Sequence, residues 1–151
     1  MSFSVDAYGM NTVAEVKAYN LGFSTTLFLN TLLRQPGEVV ICTYSLPAVD
    51  AIYPAALNTR TDGVTIIAHT NYAEEAKALK QKYPALRIFL DSRAHAKMIL
   101  ANGNIWVGSA NLTNCHSMEG TLAIASPAIC AFMMDELRRN GAFDPGKDVI
   151  L

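Results

Sequence analysis

The sequence predicts an α/β fold, a mixed, mostly parallel sheet with helices on both faces. Three observations carry that expectation. Two apolar runs of strand length, residues 38–44 (EVVICTY) and 64–69, have the continuous pattern of strands buried on both faces. Helix-period stretches alternate with them as far as Tyr83-Pro84, the order of βαβ units with parallel pairing. Asn102-Gly103 then separates two further apolar runs by two residues, a strong local signal for an antiparallel hairpin.

Composition sets bounds on the rest. The chain has 151 residues, 51% hydrophobic and 17% charged, which is enough apolar material for one packed core, so a single domain over 1–151 is expected. A net charge of −1 excludes a global basic field. Six of the twelve Lys and Arg residues, Lys77, Lys80, Lys82, Arg87, Arg93 and Lys97, fall in one helix–strand–strand stretch. That stretch is either a local basic face or an ordinary solvated helix face. Cys42, Cys115 and Cys130 form no spaced pair, which argues against a disulfide framework and fits a reducing, cytoplasmic setting. Without CxxC or HxxxH spacing, neither a metal nor another cofactor is expected. The first ten residues lack the basic and apolar regions of a signal peptide. No apolar run reaches a transmembrane length, so no membrane partner is expected.

Taken in order, residues 1–10 read as an edge strand or a loose arm. Thr12 and Glu15 have the spacing of a capping box, and Val13, Val16 and Ala18 continue a helical pattern to about Asn20. After Gly22, a second helix runs from Phe23 to Arg34 on Leu27, Phe28, Leu32 and Leu33, and Gln35-Pro36-Gly37 ends it. The strand Glu38 to Tyr44 follows. Ser45 and Leu46-Pro47 open a helix whose apolar set is Val49, Ile52, Tyr53 and Ala56. Val64 to His69 is the next strand, Thr70 or Asn71 caps a helix that stops at Tyr83-Pro84, and Leu86 to Leu90 is a third strand. Beyond the hairpin, Glu119 to Ala125 reads as a strand. Ser126-Pro127 opens a last helix through Met133, Met134 and Leu137, closed by Asn140-Gly141.

The chemistry concentrates between Arg93 and Glu119. His95 and Lys97 are two apart, so on extended backbone they share a side. A hairpin turning at Asn102-Gly103 brings Gly108, Ser109 and Asn111 back to the level of His95. An imidazole, an ammonium, a hydroxyl, a carboxamide and a glycine backbone then converge, a set suited to an anion and to phosphate above all. Tyr44 and Ser45 join as substrate-contact candidates, because open α/β sheets bind ligands at the carboxyl ends of their strands. His116 lies in the following loop and is either a further substrate contact or an ordinary loop histidine. His69 reads first as a strand-end histidine, and Trp106 as core.

His95-Ala96-Lys97 followed by Gly108-Ser109-Ala110-Asn111 resembles the HxK…GSxN signature of the phospholipase D superfamily, in its short single-motif, nuclease-like branch. The full signature has HxK, four intervening residues and then an Asp, and this chain carries Asn102 in that slot. At a hairpin turn, Asn does the structural work of Asp, and that position is a strand's length from His95. The resemblance implies a metal-independent phosphodiesterase, with a DNA endonuclease as the leading reading. In that scheme His95 attacks phosphorus to form a phosphohistidine, while Lys97 and Asn111 hold the non-bridging oxygens with help from Ser109 and nearby backbone N–H groups. It also implies that Glu119, the matching acidic position, orients the imidazole; the bland alternative is a surface glutamate at a strand start. One His cannot serve as nucleophile and general acid on opposite sides of one phosphorus. A symmetric homodimer would supply the second, with Ile105-Trp106-Val107 and the loop 111–117 as contact candidates. Two other classes stand beside this one: a non-catalytic nucleic-acid or protein-binding module of the same fold, and a lipid phosphodiester hydrolase or transferase.

Overall fold

The computed structural model of the chain describes residues 14–19, 31–48, 57–109, 111–112 and 120–151. Seven strands form one sheet: β1 (Glu15–Tyr19), β2 (Val39–Cys42), β3 (Val64–Ala68), β4 (Arg87–Leu90), β5 (Met98–Ala101), β6 (Asn104–Gly108) and β7 (Thr121–Ala125), in the spatial order β1-β7-β6-β5-β2-β3-β4. The described helices are α1 (Ala73–Lys82), preceded by a 3-10 turn at Thr70–Tyr72, and α2 (Pro127–Arg139). The fold class is as expected, but the balance of directions is not. Only β2-β3 and β3-β4 pair in parallel, and the other four pairs are antiparallel. The reason is that β5 enters beside β2 in the opposite direction, the two strands that follow it each reverse direction, and β1 adds to the edge beside β7 instead of entering a βαβ unit.

Two apolar clusters lie on opposite faces, and alternate residues of each strand supply them. Val39 and Ile41 of β2, Val64 and Ile66 of β3, Ile88, Ile99 and Ala101 join Ala76 and Leu79 of α1 on one face. Val40, Cys42, Ile67, Phe89, Met98, Leu100 and Ile105 meet Ile129, Cys130, Met133 and Leu137 of α2 on the other. Helices on both faces explain why β2, β3 and β5 read as unbroken apolar runs: both of their faces are covered.

Local signals account for most boundaries. Asn102 (φ 50°) and Gly103 (φ 72°) take the left-handed conformations that a two-residue hairpin turn between β5 and β6 requires. Ser126 caps α2 by accepting from the Ile129 N–H at 3.1 Å, with Pro127 at the first helical position. His69 caps the 3-10 turn, accepting from the Asn71 N–H at 3.1 Å, and Tyr72, not Thr70 or Asn71, stands at the N-cap of α1 without a side-chain cap bond.

The first element departs from expectation. Residues 15–19 form an edge strand, paired antiparallel with β7 from Glu15↔Ala125 to Tyr19↔Thr121, not a capped helix. Val16 and Ala18 are two apart, which serves a strand as well as a helix, and the open edge of β7 decides between them. Of the expected second helix, residues 31–33 are helical and the chain turns at 34–37; its start and the body of the helix after Pro47 lie outside the described residues. No described helix is long and apolar enough to cross a membrane.

Candidate active site

The strand order determines where the chemistry falls. β2, β3 and β4 run parallel, and β5 pairs antiparallel with β2, so the carboxyl ends of the first three and the start of β5 share one edge. β4 is the outer strand and β5 lies on the far side of β2. Residues 91–97 must therefore cross the ends of β3 and β2, three strand spacings or about 14 Å. His95 and Lys97 ride on this crossing segment, at the edge where open α/β sheets bind ligands. β6 ends and β7 begins at the same edge, with Gly108 opposite Thr121, which delivers Gly108, Ser109 and Asn111.

Asp91 anchors the crossing segment. Its carboxylate is buried at 6% exposure and accepts from the Arg93 N–H at 2.9 Å, Arg93 Nε at 3.0 Å, Arg93 Nη2 at 2.8 Å and Lys147 Nζ at 2.9 Å. Arg93 also donates to the Asn140 carbonyl at the end of α2, and Lys147 to the Gly141 carbonyl, both at 2.6 Å. The hydrogen-bonded Arg93 guanidinium, with Lys147 behind it, holds the Asp91 carboxyl well below the usual carboxylate range despite the opposing effect of burial. The carboxylate in turn raises the Arg93 pKa. The loop carrying His95 is thus tied to the end of α2 and to the 3-10 turn Pro145–Lys147.

Thr43 organises the opposite wall. Its hydroxyl, 1% exposed, lies 3.0 Å from the Ser45 carbonyl and 3.3 Å from Asn111 Oδ1, and accepts from the Leu112 N–H at 3.2 Å. The Tyr44 N–H also donates to Asn111 Oδ1, at 3.1 Å. A backbone N–H can only donate, so the carboxamide is locked with its oxygen toward β2. No described residue accepts from its Nδ2 protons.

His95 is exposed, with its ring 5.5 Å from that of Tyr44. Lys97 is partly buried and curls back to the His95 carbonyl at 3.1 Å. Gly108 answers a close approach: a Cβ there would sit 2.5 Å from the Gly120 carbonyl oxygen. Ser109 straps the two ends of the intervening loop together, its N–H donating to the Gly120 carbonyl and its Oγ accepting from the Gly120 N–H, both at 3.2 Å. The structure therefore brings His95, Lys97, Gly108, Ser109, Asn111 and Tyr44 to one edge. Ser45 is placed differently: it is 7% exposed and presents its carbonyl to Thr43. Glu119 and His116 lie outside the described residues.

Other expectations shift. Five of the six cations in the positive stretch make local contacts. Lys77 pairs with Glu74, Lys80 donates to the Leu86 carbonyl, Lys82 and Arg87 lie over aromatic rings, and Arg93 is bound to Asp91. Ile105 is 2% exposed and belongs to the core, so it is no dimer contact. Asn102 is at the other end of β5, where its Nδ2 donates to Gln35 Oε1 at 2.8 Å.

Sequence reasoning missed Thr43 and the Asp91–Arg93–Lys147 network. A signal for the second existed: an acidic residue immediately after a buried strand, two positions before an Arg. Beside the network, a cavity of about 330 Å³ opens under α2, lined by Cys42, Ile67, Met133, Leu137 and His95 among others. Burial pushes the Cys42 thiol up to about 12, so it lines this cavity as a neutral group.

The fold, an open mixed sheet with its His-x-Lys segment across the carboxyl edge, is phospholipase D-like. Among solved structures, Nuc from Salmonella typhimurium, a phospholipase D family member, superposes with a TM-score of 0.64 at 16% identity, covering 84% of this chain and 93% of that one. NucT from Helicobacter pylori gives 0.61 at 18% identity, covering 84% and 95%. TrmBL2, an archaeal chromatin protein that binds DNA, gives 0.60 at 15% identity over 90% of this chain; the chain spans 55% of that protein's length. No family model and no curated protein matches the sequence.

Proposed function

We propose that this chain is a metal-independent phosphodiesterase acting on nucleic acid, with DNA as the favoured substrate, and that it works as a homodimer in one unit spanning 1–151. The observation that carries the reading is the convergence of His95, Lys97 and a carboxamide locked to offer its Nδ2 donors, at one sheet edge of a phospholipase D-like fold. In this scheme an imidazole nitrogen of His95 attacks phosphorus and the bond to the leaving oxygen breaks, giving a phosphohistidine. His95 of a second copy protonates the leaving oxygen, then takes a proton from the water that hydrolyses the phosphohistidine. Lys97 and Asn111 Nδ2 neutralise the non-bridging oxygens, with backbone N–H groups near Gly108 and Ser109 assisting. Glu119 accepts from the second imidazole nitrogen and fixes the tautomer, and Tyr44 and His116 contact the substrate.

The test is hydrolysis of a generic phosphodiester and of plasmid DNA in excess EDTA, with His95→Ala beside the parent. Turnover that survives chelation and falls about 10³-fold or more in the variant is expected; equal activity in the two proteins would sink the reading. A second reading, a DNA-binding module without turnover, draws on the likeness to TrmBL2. Salt-dependent DNA binding by a folded protein that cleaves nothing would favour it.

A further inference from the structure

We propose that Tyr44, His69 and Tyr72, beside His95, form a stacking surface for the bases of an unpaired strand, so that the substrate class is single-stranded nucleic acid. The inference rests on the nucleic-acid reading above and goes beyond it by naming the strandedness and the residues that read it. Four rings from three separate segments meet at the carboxyl edge. The Tyr44 ring centroid lies 4.7 Å from His69, 5.7 Å from Tyr72 and 5.5 Å from His95. These rings are open to solvent: Tyr44, His69 and Tyr72 are partly exposed, Tyr72 with its inner side packed on the core, and His95 is exposed, whereas Tyr83 at the end of α1 is buried.

The cluster is also held in place. Asn71 Nδ2 donates to the Tyr44 hydroxyl and the Asn71 N–H to His69 Nδ1, both at 3.1 Å. The His69 N–H donates to the Tyr44 carbonyl at 3.2 Å, and the Tyr72 N–H to the His69 carbonyl at 3.0 Å. A partly exposed aromatic group one ring's width from the nucleophile offers a base attached to the scissile phosphate a surface to stack on. Bases in a duplex already spend both faces on their neighbours, so only an unpaired strand can present them.

The charge distribution points the same way. With a net charge of −1 and most cations near the edge engaged locally, phosphate contacts alone give weak binding. Stacking supplies affinity that does not depend on a basic groove.

The test compares binding of three labelled probes at fixed salt: a thymidine oligomer, an abasic oligomer of the same length and charge, and a duplex. It uses full-length His95→Asn, which leaves the strands intact. The thymidine oligomer is expected to bind about tenfold tighter than the abasic one, and tighter than the duplex. His69→Asn keeps an acceptor at the helix cap and removes a ring; Tyr72→Leu keeps the apolar packing and removes another. Each variant is expected to pull the thymidine-to-abasic ratio toward one. No binding of the thymidine oligomer, equal affinity for it and the abasic oligomer, an equal or stronger duplex, or a preference that survives both substitutions would overturn the proposal. Hydrolysis of a generic phosphodiester by the parent is read separately, so loss of the base preference and loss of the phosphodiesterase reading are distinguishable.

Discussion

Thr43 makes the site a matter of single atoms. One hydroxyl holds the backbone N–H of Leu112 and lies within reach of Asn111 Oδ1, so it sets both the path and the side-chain orientation of the segment that follows β6. Thr43→Val keeps the shape and removes the hydroxyl. It leaves the Leu112 N–H buried without its partner, which costs about 1–3 kcal/mol, measurable as a lower denaturant midpoint. Misplacing Asn111 is expected to reduce turnover about tenfold, with the larger effect in kcat. A variant with normal turnover would show that Tyr44 alone orients the carboxamide.

Among the elements, the β5–β6 hairpin separates the motif's text from its chemistry. The HxK end of the pattern lies at the carboxyl edge, and its Asp slot lies on the turn at the opposite edge. Asn102→Asp restores the signature letter for letter. It is nevertheless expected to change phosphodiester turnover by less than about twofold, because the position is roughly 20 Å of extended chain from His95. It removes the Nδ2 donor to Gln35, so a small loss of stability, about 0.5–1 kcal/mol for an exposed hydrogen bond, is the expected readout in a thermal melt. A large gain in turnover would mean that the turn communicates with the site. The departure at Asn102 therefore weighs little against catalysis.

For the molecule as a whole, Asp91 joins three distant parts of the chain: the crossing segment, the end of α2 and the C-terminal turn. Its folded carboxyl titrates below the ordinary value of about 3.9, so the unfolded chain takes up this proton first as pH falls. The resulting stabilisation is full above about pH 4 and is lost progressively below it. Asp91→Asn is expected to cost about 1–3 kcal/mol at pH 7, with the gap to the parent narrowing below pH 4 in urea titrations. Because the same network aims the His95 loop, kcat is expected to fall more than KM rises. A stability gap unchanged between pH 7 and pH 3 would show that the carboxylate's charge is not what holds these parts together.

Much of this was legible in the chain itself. The buried strands, the Asn102-Gly103 turn, the Ser126 cap and the meeting of His95 with Gly108, Ser109 and Asn111 follow from local periodicity, turn chemistry and the geometry of a hairpin. All of these act within a few residues or across one tight turn. What only the tertiary structure decided depends on strand order. Residues 15–19 became a strand because β7 offered an unpaired edge, which no local pattern records. The sheet proved chiefly antiparallel because β5 entered beside β2 in the opposite direction and β6, β7 and β1 each added antiparallel to the last strand in place. Thr43, Asp91, Lys147 and the rings of His69 and Tyr72 reached the site because β5 lies beyond β2 and forces the His95 segment across the carboxyl ends. Such contacts join residues that are distant in sequence, and they exist only once the sheet has assembled.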